Sequence, residues 1–453
     1  MKRTPGDFSK KTLETFLLRL LTQMLSVAGG IAVARALGPS GKGVFAYATT
    51  VLALLVSVSG GASAAVSRQY GRLKVPGGVV YAGMVRLFLI ACLPLSAGLA
   101  AFALATHQTI LLAPAFAFPF AYINQVTLAF SLADGEVRWA NVQGLAIAMA
   151  LAVATVVLCV LLHRDINALL VALVVIYAAV SVYSFVKIRR YAVRSGDAPQ
   201  RRQVLREQAV FGARVTVNQL LASLNFQIDI FIVLALLGHA KLGTYSVAVG
   251  LGQMMWFLSR PLAVTSYGQV TSGTRAQAVQ ITLLCVRHAL LAVGLACIVL
   301  FFLGPRIIVF VYGPAFYDSG PALQWLLPGI LAYCVVPFFA QYFTLQAGKP
   351  AINTAVTVLS IVICAALTFV LAPRFGIIGG SIGTSASYVL SLAVAIAIFQ
   401  KETGTGLREI FTFDRADVGR YSALVRWAAG SLFRLARTGR PAAPSQQPNE
   451  KLS

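Results

Sequence analysis

Carboxylates are scarce in this chain: Asp and Glu number 14 against 37 Lys and Arg, and charged residues make up 11% of 453 positions. A soluble domain carries roughly a quarter of its residues charged. Here 58% are hydrophobic and the mean hydropathy is +0.79, which excludes a water-soluble fold. Histidine is nearly missing, and His107, His163, His239 and His288 are scattered. There is no G-x-S-x-G, Walker A or H-E-x-x-H pattern, so hydrolysis, ATP-driven pumping and zinc chemistry have no motif to rest on. An enzyme is not expected, nor is any cofactor or metal. Cys92, Cys159, Cys285, Cys297, Cys334 and Cys364 fall inside apolar runs at no ligand-like spacing and read as small apolar filling.

What is present is a succession of apolar runs of the ~20 residues needed to cross a bilayer by helix. Twelve can be placed, near 13–34, 44–66, 80–104, 109–131, 140–162 and 167–186, then 210–237, 243–268, 278–303, 322–346, 351–372 and 377–399. With the N-terminus inside, most Lys and Arg fall in the inner loops and tails. The formal charge of +23 is therefore an orientation signal, strengthened by attraction to anionic lipid, and not the footprint of a nucleic-acid partner. The expected fold is an all-α polytopic membrane protein of about twelve transmembrane helices in two six-helix pseudo-symmetric lobes. Both termini are expected to be cytoplasmic.

The two lobes share a repeated turn. Leu37, Gly38, Gly43, Phe45 and Ala48 recur as Leu237, Gly238, Gly243, Tyr245 and Ala248, and Gln69 and Gln269 keep the same offset of two hundred. Upstream, Arg19 and Gln23 fall more loosely against Arg214 and Asn218; further on, Arg86 falls against Arg287. An even number of spans per copy gives both copies one orientation, so the pseudo-twofold axis runs along the membrane normal.

This divides the chain into a lobe at 1–186, a basic cytoplasmic linker at 187–208, a lobe at 209–400 and a cytoplasmic tail at 401–453. The tail is expected to hold an amphipathic helix over about 421–437, on the membrane surface or docked on the body, and a disordered end from 438 onward. Lys10 and Lys11 before an apolar run, with Ala34-Arg35-Ala36 behind it, resemble a secretory leader. Arg19 and Gln23 inside the run, and the recurrence of the turn that follows, favour a retained first span. Pro114 and Pro119 inside the fourth span predict a bent helix whose freed carbonyls find partners on neighbouring helices or in water.

Charge within the spans is lopsided. Arg19, Arg86, Arg214, Arg260 and Arg287 lie inside them, against Asp229 and, at the edge, Glu14. Each buried Arg costs roughly 2.5–3.5 kcal/mol on insertion scales, so each must snorkel to the interface or face water or an anionic ligand. Arg260 lies deepest, beside Pro261, and shares a face with Gln253. Asp229, on the outer half of the seventh span, shares the face of Arg214, Asn218 and Asn225, where it either pairs with an amide or hydroxyl on another helix or couples to an ion. Guanidinium groups suit phosphate and pyrophosphate through charge-assisted, often bidentate hydrogen bonds, whereas an exporter of organic cations would want carboxylates.

The phrases ARALGPSGKGVFAYA and DIFIVLALLGHAKLGTYSVA, followed by LQAGKPAINTAV and PRFGIIGGSIGTSASY, resemble the polysaccharide-biosynthesis (O-antigen type) flippases of the multidrug/oligosaccharidyl-lipid/polysaccharide superfamily. The resemblance covers roughly residues 10–400. It implies a MATE-like arrangement of two lobes around a central cavity, alternating access, and transfer of an undecaprenyl-pyrophosphate-linked oligosaccharide across the bacterial inner membrane. Carried over by position, it makes Arg19, Arg86, Arg214, Arg260 and Arg287 candidate pyrophosphate groups, with Gln23, Asn218 and Gln253 beside them and Asp229 as the acid of the seventh span. The implied partners are lipid-linked oligosaccharide, membrane lipid, a polysaccharide polymerase and glycosyltransferases. Lipid II flippases of the superfamily carry two further C-terminal spans not seen here, which weighs against a peptidoglycan precursor as cargo. A cation-coupled drug or metabolite antiporter is the alternative reading, and a membrane scaffold for glycosyltransferases the third.

Overall fold

The computed structural model describes residues 5–192 and 201–412, which form helices and short connections with no strand among them. The middle of the expected linker and the tail helix expected at 421–437 lie outside the described residues. Among the described residues, ten helices are long and apolar enough to cross a membrane. One of these, Leu17–Arg72, has 56 residues, about 84 Å at ~1.5 Å per residue, far more than a ~30 Å hydrocarbon core. It is two crossings, because the helix Pro5–Val58 is broken at Gly38 (φ 66°, ψ −170°).

The same break recurs at Gly238 (φ 78°, ψ 178°) inside the helix Ile228–Met254. Both glycines take a conformation that a side chain would strain. The repeated turn is thus a repeated backbone event. The seventh span is the polar helix Arg201–Asn225, too polar to be counted among the ten, continued outward by 228–237. Together these give twelve crossings. The end of the bundle that carries Gly38 and Gly238 is called outer here, after the charge distribution.

The remaining spans are Gly77–Ala105, Thr109–Ala133, Val137–Leu161 and Ile166–Ala192 in the first lobe, then Arg275–Tyr312, Ser319–Gln346, Pro350–Phe375 and Ile377–Thr403 in the second. Each lobe has its own buried aromatic interior, with Phe118, Tyr122 and Phe130 in the first and Tyr245, Phe338, Phe339 and Phe399 in the second. Large apolar side chains such as Ile90, Val182 and Phe310 stay exposed, as lipid-facing groups must be. Pro119 lies inside the fourth span, and the Ala115 carbonyl that its missing N–H would have bonded instead accepts from Ser96 Oγ at 2.6 Å.

Candidate functional site

The space between the lobes is bounded by close backbone contacts. At the outer end a Cβ on Gly43 would overlap the His239 carbonyl oxygen, and a Cβ on Gly243 would overlap that of Pro39. These are mirror contacts at the repeat offset, so the pseudo-twofold axis passes between Gly43 and Gly243. Arg35 fastens the same end, its Nε and terminal nitrogen donating to the Val311 and Phe310 carbonyls at 2.7 and 2.5 Å. Those carbonyls belong to the last turn of the ninth span, where a helix offers unsatisfied acceptors and partial negative charge.

Toward the inner end the two seams differ. Spans two and seven pack closely: a Cβ on Gly61 would overlap the Gly212 carbonyl, Thr216 Oγ1 donates to the Val58 carbonyl at 3.1 Å, and Gln69 Nε2 donates to that of Val204 at 2.8 Å. Symmetry would ask the same of spans one and eight. Among the described residues, the inner half of the eighth span, Arg260–Ser272, makes no comparable packing with the first. The bundle is therefore closed outside, closed along one inner seam and open along the other.

Arg19 and Arg260 stand on the two sides of the open seam. The eighth span breaks after Met255–Phe257 and restarts at Arg260 with Pro261 in its first turn, which swings the guanidinium over the Phe257 ring at 4.6 Å. Arg19 is close enough for its charge to act on Arg260. Neither meets a carboxylate among the described residues. Gln23, one turn outward of Arg19, and Gln253, two turns outward of Arg260, are half-buried. A further cavity of about 510 Å³ opens between spans two, four and seven, lined by Ser57, Ser63, Ser67, Gln125, Gln219 and Ser223.

The other expected site residues are not brought there. Arg86 is exposed on the face of Ile90 and Leu93, toward lipid. Arg287 donates to the Glu409 carbonyl at 2.6 Å, holding the chain beyond the twelfth span against the ninth. Gly212, Thr216 and Gln219 face span two, so Arg214 and Asn218 lie on the opposite side of the seventh span. There Asn218 Oδ1 accepts from Thr354 of the eleventh span at 3.4 Å.

Asp229 does not share a continuous face with these groups. The seventh span breaks at Phe226 and Gln227, and the new helix turns Asp229 into the second lobe. Its Oδ2 accepts from Tyr245 at 2.5 Å and Thr384 at 2.8 Å, and its Oδ1 from the Ile230 amide at 2.9 Å. Asn225, at the end of the preceding helix, donates to Tyr333 and accepts from Tyr388 through its carbonyl. The acid thus pairs with hydroxyls of the eighth and twelfth spans.

Two basic residues beside the repeated turn, Arg35 and Lys42, are not among the site residues the sequence singles out. A methyl group on Gly30 would lie 3.3 Å from the Lys42 ammonium, so this side chain points inward, under the outer closure. The signal was in the repeat: Lys42 falls against Leu242.

A family model described as polysaccharide biosynthesis protein matches residues 8–267. The fold is similar to a lipid II flippase, MurJ, in an inward closed conformation, with a TM-score of 0.68 at 13% identity over 92% of this chain and 99% of that one. An inward-facing multidrug resistance MATE family transporter of the MOP superfamily gives 0.66 at 14% identity, covering 84% of this chain and 96% of its own. A MOP superfamily transporter from Pyrococcus furiosus, whose binding pocket is described as reversed in polarity, gives 0.60 at 12% identity over 88% and 95%. No curated protein matches the sequence.

Proposed function

The chain belongs to the polysaccharide biosynthesis protein family, and from that premise we propose that it is a flippase for undecaprenyl-pyrophosphate-linked oligosaccharide in a bacterial inner membrane. The observation that carries this reading is the pair Arg19 and Arg260, on the two sides of the open seam and near enough to feel each other's charge, neither paired with a carboxylate among the described residues. Two guanidinium groups so placed offer up to ten N–H donors to a pyrophosphate, in a setting where an unpaired cation is otherwise costly. The polyprenyl chain stays in the bilayer and passes between spans one and eight while the headgroup enters the cavity. Serines and glutamines lining the space between spans two, four and seven meet the sugar hydroxyls.

Rocking of the lobes then opens the glycine closure outside and shuts the inner seam. Asp229, at the break of the seventh span and tied to Tyr245 and Thr384, is the group we assign to coupling with a proton or cation. It is sealed in the second lobe, away from the opening, which speaks against its holding an organic cation as cargo. A polymerase on the outer face and glycosyltransferases on the inner one are the partners this role requires.

The test is the fate of lipid-linked oligosaccharide in cells lacking the protein and any redundant flippase. It should accumulate in the inner leaflet, relieved by the intact chain and not by Arg260→Ala at equal membrane abundance, with export down at least tenfold. Normal arrival in the outer leaflet without the protein would dismiss the assignment.

A further inference from the structure

The Arg19–Arg260 pair serves the inner half of the crossing only, and on the outer half Lys42 is a cation whose side chain points inward. Lys42 starts four residues after the Gly38 break, yet its ammonium lies against Gly30, eight residues before it. At ~1.5 Å per residue the nitrogen sits about 12 Å below the outer turn. Gly30 shares a face of the first span with Ala34, which is buried among residues of the second lobe, so the ammonium stands between the lobes. The stripe Arg19, Gln23, Ser26, Gly30 thus runs from the inner cation to the outer one.

The repeat sharpens the point. Leu242, at the matching position, is wholly buried, while Lys241, one residue earlier, reaches outward to Asp318 at 2.7 Å. One step of helical register, ~100°, separates a lysine facing water from one facing the path. Among the described residues no carboxylate or hydrogen-bond acceptor is recorded for Lys42, and it adjoins Gly43, whose contact with His239 closes the outside. Parting that contact would bring Lys42 to the outer water.

We propose that Lys42 is a second anion-binding group of the translocation path, which takes the phosphates of the lipid headgroup from Arg19 and Arg260 and presents them outside when the glycine closure parts. This rests on the flippase reading above. An ammonium suits a hand-over, since it is a point charge with three rotatable donors and imposes no fixed fork on the anion.

The test uses the full chain in lipid nanodiscs with undecaprenyl pyrophosphate as probe. Lys42→Gln should weaken binding at least tenfold and Lys42→Arg by no more than about threefold, with melting temperatures unchanged. Lys42→Cys should lose binding and regain it on reaction with 2-aminoethyl methanethiosulfonate, which rebuilds a positive side chain of similar length. The 2-sulfonatoethyl reagent should not restore it. The six native cysteines are buried, which directs both reagents to position 42. Wild-type binding by Lys42→Gln alongside loss in Arg260→Ala would overturn the proposal and leave the flippase standing. Failure of the amine adduct to restore binding would likewise overturn it, by assigning Lys42 a packing role. No binding by the unaltered protein would overturn the flippase reading, and the proposal with it.

Discussion

The five arginines inside the spans carry the same charge and the same donors, and their surroundings divide them. Arg19 and Arg260 share an opening, Arg287 holds a carbonyl of the chain beyond the last span, and Arg86 lies among lipid-facing leucine and isoleucine. Arg86→Gln should therefore leave transport within about twofold of the unaltered protein in a leaflet assay. Arg287→Gln should keep pyrophosphate binding but lower stability by about 1.5–3 kcal/mol, the worth of a charged hydrogen bond, read from thermal unfolding in detergent. Asp229→Ala would remove the acceptor shared by the buried hydroxyls of Tyr245 and Thr384, leaving them each other at 3.2 Å, and at about 1–3 kcal/mol should lower the melting temperature at least as much as Arg287→Gln. Sequence named all six residues, yet it could not sort them. Depth along a span is legible from position; the partner across the bundle is not. Lys42 shows the limit best, because a lysine beside a turn reads as solvated until its side chain is seen to point back.

At the scale of elements, breaks do most of the positioning. Those at Gly38 and Gly238 were legible from the repeat; the one before Pro261 was not, since hydropathy carries the eighth span unbroken over 243–268. The break at Phe226 and Gln227 carries no glycine or proline and was missed. Its causes are tertiary: Phe226 packs with Trp256 and Tyr333, and Asn225 is held by Tyr333 and Tyr388. Glycine also makes the closures. Gly43→Leu would set a side chain into the His239 carbonyl, so the outer end should fail to shut and a cysteine placed at Leu234 should react faster with an external thiol reagent. Gly243→Leu, its mirror, should do the same against Pro39. Equal reactivity in the parent and both variants would refute this role for the contact.

For the whole molecule, what matters is that a pseudo-symmetric frame is used unsymmetrically. Twelve spans in two lobes followed from hydropathy and the two-hundred-residue offset. Which inner seam is open did not, since it depends on packing between helices well over a hundred residues apart in sequence. If spans one and eight move together as the lobes rock, spin labels at Leu20 and Val264 should approach one another on addition of undecaprenyl pyrophosphate. A pair spanning the second and seventh spans should part instead. Unchanged distances in both pairs would rule out rocking about these seams.

The outer closure also bears on the membrane in which the protein sits. Two carbonyl oxygens pressed against two glycines, with Arg35 across the last turn of the ninth span, are what stands between the inner opening and the outside. Backbone meeting backbone leaves no side chain to rotate aside and no width for a hydrated ion. A chain that could not make this contact would be a leak as well as a failed carrier: cells producing Gly43→Leu should lose membrane potential even where no lipid-linked sugar is made.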